Sequence, residues 1–398
     1  MEWNRFFLVF GNFPVFKEIQ YKMVVLAKSL LLSALMVTAA LASYCDKNLI
    51  REMSFKLRGN QLTFPCESTR NIYTTSGRYI PKNLIATRFQ FYKNIAFVAL
   101  PRYRPGVPFT VAILNLKENA PNPHLEPFPS WSFQEEGNCE SIQNAIDLVL
   151  DAFGNIWILD LGICNTLQQP VRRCEPKIWG FNIKSGELMK SISVAPYLTD
   201  ESRLQYLTID YSNTGVPFAF IADAGTGSIV VVNISNSSGY CFVLPPTVFT
   251  TTKDILYIQL ARKPLGNVLY FTFLSSPKMF SIKSKHIMTG QSIEAIEDIG
   301  LKADNAKMIL LGTDNGLGIF FRYKGESDIY IWNSDSSFNR ENFKLVQKGG
   351  DCRMATQVTP GWKQLMWVIE SNFHDYINDC TGSLGPSMVI YPLVKTSY

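Results

Sequence analysis

Short runs of alternating apolar and polar residues recur along this chain, and Gly, Pro or Asn separates one run from the next. The clearest copy covers residues 148–182, where LVLDAFGNIWILDLG is followed by an insert and then by IWGFN. Similar phrases begin near Leu207, Leu256 and Met308. A repeat of roughly 50 residues that holds several short strands is typical of the blades of a β-propeller.

Two weaker copies of the phrase cover residues 84–116 and 356–372, which brings the total to six. The sequence therefore predicts an all-β fold, a six-bladed β-propeller. In each copy the first run is expected to be the innermost strand, and the turn after it reverses the chain. The ends of the second runs should then meet at one mouth of the central channel.

Charged and polar residues stand at these ends of the second runs. Their convergence predicts a ligand site at the channel mouth. A second interpretation stays open, because Asp and Gly also make turns in which the Asp side chain accepts hydrogen bonds from nearby backbone N–H groups. The residues concerned are Arg102, Asp160, Asp223, Ser275, Ser276, Arg322, Tyr323, Glu370 and Asn372.

The chain has 398 residues, 46% of them apolar, so it can bury a large core. Residues 29–43 (SLLLSALMVTAALAS) are uncharged and follow Lys28, and Ala-Leu-Ala at 40–42 supplies a small-x-small cleavage pattern. The run is too short to span a bilayer. We expect a secretory signal within residues 1–42, with translation starting at Met1 or Met23, and one secreted domain over 43–398 without a membrane anchor.

The charge and the short motifs narrow the function further. A formal net charge of +5 is too small to indicate a nucleic-acid partner. The sequence contains no HExxH, GxSxG, Walker A or paired CxxC motif. Asn233 and Asn236 each begin a glycosylation sequon, in keeping with a secreted glycoprotein.

Eight cysteines in a secreted chain are candidates for disulfides, although their spacing alone cannot fix the connectivity. One pair is favoured because its members bracket the last blade, and two further pairs are weaker candidates. In that order, the pairs are Cys352 with Cys380, Cys139 with Cys174, and Cys45 with Cys66.

Three residues are candidates for a catalytic base. His374 is followed by Asp375 beside the proposed mouth, and an Asp can orient an imidazole. Adjacent side chains would diverge on a strand, however, which weakens that pair. Asp160 and Glu370 are the other candidates. Channel carboxylates also suit calcium, but no matching set of Asn ligands accompanies them, so we expect neither a metal nor a cofactor.

Five motifs in this chain resemble the yellow and major royal jelly proteins of insects, and more closely the yellow branch. The resemblance covers roughly residues 50–394. The motifs are SGRYIPK at 76–82, ALPRYRPGVP at 99–108, IWILDLG at 156–162, CEPK at 174–177 and ENF at 341–343.

The resemblance implies a secreted six-bladed propeller with a role in cuticle pigmentation and, in some members, conversion of dopachrome. Salivary relatives bind biogenic amines at the channel mouth. By matching motif, their ligand-binding residues correspond here to Thr356, Asn372 and Phe373. Those relatives place a basic residue between the Asn and the Phe, whereas here the two are adjacent.

Three functions follow from these observations. The first is binding of small catechol or indole amines, with Asp160 or Glu370 pairing the ammonium and Phe373 stacking on the ring. The second is a dopachrome isomerase or decarboxylase that uses one of the three candidate bases. The third is a non-catalytic scaffold that binds cuticle components. The proposed ligand set is Thr356, Asn372, Phe373, Asp160, Asp223 and Arg102.

Overall fold

The computed structural model describes residues 25–29, 53–117, 123–249, 252–290, 293–303, 307–350 and 352–393. Residues 25–29 are helical and lie in a unit that ends at Met53, whereas a second unit begins at Ser54. Most of the predicted signal, residues 1–42, lies outside the described residues. Within the described ranges, no helix is long and apolar enough to cross a membrane.

The second unit is a six-bladed β-propeller, as the sequence predicts. Its described strands form six four-stranded antiparallel sheets, together with one two-stranded sheet inside the second blade. The strands that lead into and build the first three blades are β1 (Phe55–Leu57), β2 (Arg88–Tyr92), β3 (Ile95–Ala99), β4 (Val111–Asn115), β5 (Glu126–Pro127), β6 (Ala145–Leu150), β7 (Asn155–Asp160), β8 (Ile163–Cys164), β9 (Val171–Arg172), β10 (Lys177–Asn182), β11 (Leu188–Ser193), β12 (Leu204–Tyr211), β13 (Pro217–Asp223), β14 (Ser228–Asn233) and β15 (Ser238–Val243).

The last three blades follow in chain order. Their strands are β16 (Leu256–Ala261), β17 (Val268–Phe273), β18 (Lys278–Lys283), β19 (Glu297–Leu301), β20 (Met308–Thr313), β21 (Gly318–Tyr323), β22 (Ile329–Asn333), β23 (Phe343–Gln347), β24 (Met354–Pro360), β25 (Met366–Ser371) and β26 (Met388–Leu393).

Helices are few and short in the described part of the chain. Apart from the helical residues 25–29, the α-helices are α1 (Glu67–Thr75), α2 (Ser284–Met288) and α3 (Phe373–Ile377). Single 3₁₀ turns cover Pro81–Asn83, Trp131–Gln134, Ala195–Tyr197, Pro246–Val248, Ile293–Ala295, Arg340–Asn342 and Trp362–Gln364.

The first strand of each blade lines the central channel, which confirms the predicted order of strands. The six first strands β2, β6, β12, β16, β20 and β24 lie next to one another around a closed ring. In every blade the second strand pairs antiparallel with the first and returns toward the opposite end. The starts of the first strands and the ends of the second strands therefore share one mouth.

The ring is closed by pairing between the two ends of the propeller. Strand β1 pairs antiparallel with β26, with Phe55 opposite Ile390 and Leu57 opposite Met388. The sixth blade consequently takes its outermost strand from the N-terminal side of the domain. Separation of the first and last blades would require these backbone hydrogen bonds to break.

The hydrophobic core lies between neighbouring blades. Each buried cluster combines residues from two consecutive sheets, so both faces of a sheet are apolar. Large aromatic rings fill the wedge-shaped space between neighbouring blades. Trp367 of β25 is fully buried, and its ring centre lies 5.0 Å from that of Phe91 in the first blade. Trp157, Trp179 and Trp332 are also buried, each in a cluster that joins two neighbouring blades.

The cysteines only partly follow the sequence prediction. The Cys139–Cys174 disulfide is confirmed. Cys352 and Cys380 are not joined, and both are exposed free thiols, because bracketing a blade along the chain does not by itself bring two sulfur atoms within bonding distance. The Cys380 thiol instead donates to the Asn378 carbonyl at 3.3 Å. Cys45 lies outside the described residues, so its pairing with Cys66 stays a prediction.

The first sequon asparagine, Asn233, is the last residue of β14, and the second, Asn236, lies in the turn between β14 and β15. The side chain of Asn233 is half-buried, and its oxygen accepts the backbone N–H of Ser235 at 3.0 Å. Asn236 is exposed at the tip of the turn. Glycosylation stays a prediction, and the geometry makes Asn236 the more accessible acceptor.

A buried lysine should make the stability of the propeller depend on pH. Lys302 is 1% exposed and donates to the Phe273 carbonyl at 2.8 Å, and burial lowers its pKa from 10.5 to about 7. Between those two pKa values the unfolded chain holds a proton that the folded protein has released. Stability therefore rises with pH across this window.

The measurement is urea unfolding of the wild type and of Lys302→Met at pH values below and above the folded pKa. We expect Lys302→Met to stabilise the protein more at the lower pH, because the wild type must then carry a buried charge. An equal difference between the two proteins at both pH values would contradict this assignment.

Candidate functional site

A cavity of about 1100 Å³ occupies one mouth of the central channel. Its wall is made by the starts of the first strands and by residues that follow the second strands, such as Tyr103, Leu161 and Phe373. A smaller cavity of about 80 Å³ lies farther along the channel, and Arg88 borders both. The large cavity is therefore open at the mouth and bounded inward by the Arg88 side chain.

Arg88 is held by groups from three blades. Its Nε lies 3.5 Å from Asp147 Oδ1, its Nη1 donates to the Thr356 carbonyl, and its guanidinium lies 5.0 Å from the centre of the Tyr206 ring. The Asp147 carboxylate also accepts the backbone N–H groups of Leu148 and Leu207, each at 2.9 Å. Burial raises the pKa of Asp147, although Arg88 and these two N–H groups act in the opposite direction.

Three tyrosines surround this ion pair. The rings of Tyr206 and Tyr257 stack with centres 5.2 Å apart, and Tyr103 lines the cavity beside them. Burial raises the pKa of Tyr103 to about 12 and raises those of Tyr206 and Tyr257 as well. The three hydroxyls are neutral at physiological pH and can both donate and accept hydrogen bonds.

A second arginine, Arg322, lines the cavity from the end of β21. Its Nε donates to the Ala355 carbonyl at 2.9 Å, and its Nη1 donates to the carbonyls of Tyr323 and Glu326. No hydrogen bond joins its Nη2 to any residue in the described ranges. Burial lowers the pKa of Arg322, so its charge is held in an environment that solvates it poorly.

Helix α3 forms part of the cavity rim. Phe373 lies 6.0 Å from the Tyr103 ring and stacks on Tyr376 at 6.3 Å. The His374 imidazole lines the cavity, and its Nε2 lies 3.2 Å from Asp375 Oδ1. The expectation that these two side chains diverge on a strand is wrong, because residues 373–377 are helical.

The other residues of the predicted amine site divide between wall and support. Thr356 lines the cavity, and its hydroxyl donates to the Thr87 carbonyl at 3.0 Å. The Asn372 amide instead holds α3 in place, because its oxygen accepts the N–H of Ser387 at 2.8 Å and its nitrogen donates to Asp375 at 3.1 Å. Asn372 does not line the cavity.

Asp160 has a structural role in place of the predicted ligand or catalytic role. It is 1% exposed, and its carboxylate accepts four hydrogen bonds. The donors are the backbone N–H groups of Gln143, Asn144 and Gly162 and the indole N–H of Trp179, all within 3.0 Å. Its lone pairs point into the wall of the second blade, so no base faces the cavity from this position.

Asp223 and Arg102 are likewise turned into the wall. Oδ1 of the fully buried Asp223 accepts the N–H groups of Arg203, Gly225 and Thr226, which makes it a turn residue, as the alternative interpretation held. The Arg102 guanidinium, 2% exposed, donates to five backbone carbonyls. These belong to Val107, Pro108, Gln134, Ile142 and Gln143.

Glu370 also lies behind the cavity wall. It is 4% exposed, and its Oε1 accepts the Tyr391 hydroxyl at 2.7 Å. Burial raises its pKa, while Tyr391, Arg353 and Arg322 lower it. Among the described residues, no three His, Cys, Asp or Glu side chains are grouped in a way that could hold a metal ion.

Sequence reasoning missed the residues that form the inner part of the cavity. Arg88, Tyr206 and Tyr257 come from the starts of the first strands, whereas the prediction considered the ends of the second strands. A signal was present, because the first strands carry polar residues at alternate positions, as in Arg88 and Gln90 or Tyr257 and Gln259. Alternate positions on an innermost strand face the channel.

The PRYRPGV and IWILDLG segments lie at the mouth of the propeller channel. Their buried side chains Arg102 and Asp160 hold the wall of the mouth together. A sequence model described as Major royal jelly protein matches residues 143–383, more than half of the chain. The chain belongs to the major royal jelly protein family. This confirms the resemblance drawn from the motifs.

Individual members of the major royal jelly protein family in Apis mellifera show the same relation. Major royal jelly protein 1 is 25% identical over 72% of this chain and 71% of its own length. Major royal jelly protein 7 is 25% identical over 78% of this chain and 76% of its own length. A solved structure, virginiamycin B lyase from Staphylococcus aureus, has a TM-score of 0.44 and 11% identity over 79% of this chain and 86% of that one. A TM-score of that size says nothing about function.

Proposed function

We propose that this protein is secreted and binds a small catechol or indole compound in the cavity at the channel mouth. The observation that carries the proposal is the cavity itself. Its volume of about 1100 Å³ is ample for one such molecule, and aromatic walls with a few polar groups are typical of small-molecule sites. The resemblance to yellow proteins supports a role for this binding in cuticle pigmentation and melanin chemistry.

Secretion has two supports. The Cys139–Cys174 disulfide is of the kind that persists in oxidising compartments. The uncharged run at residues 29–43, followed by a small-x-small pattern, is typical of a secretory signal.

The rim of the cavity offers aromatic side chains on which the ring of the ligand can stack. Phe373 is half-buried, and one face of α3 directs it toward Tyr103 at the cavity. An aromatic ligand that stacks on these rings would gain roughly 1 kcal/mol beyond the burial of its surface. The neutral tyrosine hydroxyls deeper in the cavity suit the hydroxyl groups of a catechol or a hydroxyindole.

A second candidate function is conversion of such a compound by proton transfer. The observation that favours it is the His374 imidazole at the cavity, with Asp375 at 3.2 Å from Nε2. If Nε2 carries the proton and donates to Asp375, Nδ1 is left as a base that can accept a proton from the ligand. Asp160 and Glu370 are less suitable, because both carboxylates are bound within the wall.

The test is calorimetric titration of the purified protein with dopamine, serotonin and freshly made dopachrome, with dopachrome absorbance followed in parallel. We expect saturable binding that Phe373→Ala weakens about tenfold. The matched control is Phe153→Ala, which removes an exposed ring from the turn between β6 and β7, at the other end of the channel.

The outcomes separate the candidate functions. Heat without loss of dopachrome absorbance identifies a binding protein. Accelerated loss that disappears in His374→Gln identifies an enzyme. If none of the three compounds gives a binding heat and the dopachrome absorbance decays no faster with the protein, the proposal is overturned and a cuticle scaffold is favoured.

A further inference from the structure

Positive side chains predominate over negative ones in the inner part of the cavity. Among the residues that the structure describes, the charged side chains of its inner part are the arginines Arg88 and Arg322. Among the described residues of the wall, carboxylates occur only at the rim, as the exposed Glu326 and the half-buried Asp328. The inner end of the cavity is therefore positively charged, and a ligand that reaches this end contacts the two arginines.

The carboxylates nearest these arginines lie behind them. Asp147 accepts two backbone N–H groups as well as contacting Arg88, and it borders the smaller cavity farther along the channel. Glu370 accepts the Tyr391 hydroxyl. Neither lines the large cavity, so neither is placed to pair with an ammonium group there.

The rim does not reverse this balance. Two cations, Lys324 and Arg353, stand there with the two carboxylates. Asp328 is already engaged, because its Oδ1 accepts the N–H of Gly349 at 2.9 Å. Lys324 and Glu326 are exposed, so their charges are well solvated and contribute little to the binding energy. The inner arginines consequently determine which charge the site prefers.

We infer that the ligand carries an acidic group, most simply a carboxylate on a catechol or indole ring, which binds to Arg322 and Arg88. This inference rests on the proposed function and specifies its ligand class. Arg322 retains Nη2 as a donor, and a carboxylate is the group that a guanidinium recognises best. The acid would offset the desolvation of Arg322, while the ring lies toward Tyr103 and Phe373.

The experiment compares three compounds that share one ring and differ in the terminal group. They are 5-hydroxyindole-3-acetate, the neutral 5-hydroxytryptophol and the amine serotonin, each titrated calorimetrically at low and at high salt. We expect the acid to bind about tenfold more tightly than the alcohol and the amine more weakly than either. The affinity for the acid should fall as salt is added.

Variants test the arginines directly. Arg322→Gln should weaken binding of the acid about tenfold and leave the alcohol unchanged. Arg172→Gln is the matched control, since Arg172 is exposed on β9 away from the cavity. Asp147→Asn removes the negative charge behind Arg88 and should strengthen binding of the acid, so a gain of affinity also supports the inference if Arg322→Gln folds poorly.

The inference and the proposed function fail in different ways. If the amine or the alcohol binds as tightly as the acid, the inference is overturned while the proposed function stands. If no compound of the three binds, both are overturned. Equal loss of affinity for all three compounds in Arg322→Gln would show that the arginine supports the cavity without recognising the acid, which also overturns the inference.

Discussion

Replacing Arg102 by alanine should lower the free energy of unfolding by about 4 kcal/mol. The guanidinium is 2% exposed and donates to five backbone carbonyls of three separate segments. Without it, these buried acceptors lose their donors, and each unsatisfied group costs about 1–3 kcal/mol before water and local relaxation compensate. Arg102→Lys should recover little, because one ammonium cannot reach so many carbonyls.

The measurement is chemical unfolding followed by tryptophan fluorescence. Arg172→Ala serves as the control and should change the stability by less than about 0.5 kcal/mol, since Arg172 is exposed. The opposite outcome would support the ligand-binding role that the sequence predicts for Arg102. In that case Arg102→Ala would unfold at the wild-type denaturant concentration and lose ligand affinity.

The substitution Asp160→Asn should lower the free energy of unfolding by about 3 kcal/mol. All four donors to this carboxylate are N–H groups, and an amide in its place turns one acceptor atom into a donor that faces them. Unfolding in urea measures the effect. Any loss of ligand binding should track the fraction of unfolded protein, because Asp160 does not line the cavity.

Asp223→Asn is the matched control for Asp160→Asn. Both positions end a second strand, but at Asp223 the three N–H donors all use Oδ1, and Oδ2 is buried without a partner. An amide nitrogen can take the Oδ2 position with little disturbance, so the expected loss is about 1 kcal/mol or less. Equal losses in the free energy of unfolding at the two positions would show that the four hydrogen bonds to Asp160 do not explain its contribution to stability.

The site was only partly predictable from the sequence, for a physical reason that these two aspartates illustrate. Turn signals and strand periodicity place Asp160 and Asp223 at the channel mouth. They do not tell whether a carboxylate faces the cavity or accepts hydrogen bonds from its own loop. That choice depends on which backbone N–H groups the neighbouring segments bring within 3 Å, and for Asp160 those groups come partly from residues 143–144.

Helix α3 shows the same limit at the rim. The sequence Asn-Phe-His-Asp directly follows a strand and reads as its continuation. In the structure the Asn372 carbonyl accepts the N–H groups of Asp375 and Tyr376, so the chain turns into a helix. The turn brings His374 and Asp375 together and points Phe373 toward Tyr103.

The sequence by itself determined the propeller, the number of blades, the channel-lining role of the first strands and the family. These properties depend on periodic patterns and motifs within single segments, which the order of residues records directly. The tertiary structure alone decided that Arg88, Tyr206, Tyr257 and Arg322 share one cavity. They belong to four different blades, and ring closure through β1 and β26 is what brings blades distant in sequence around one channel.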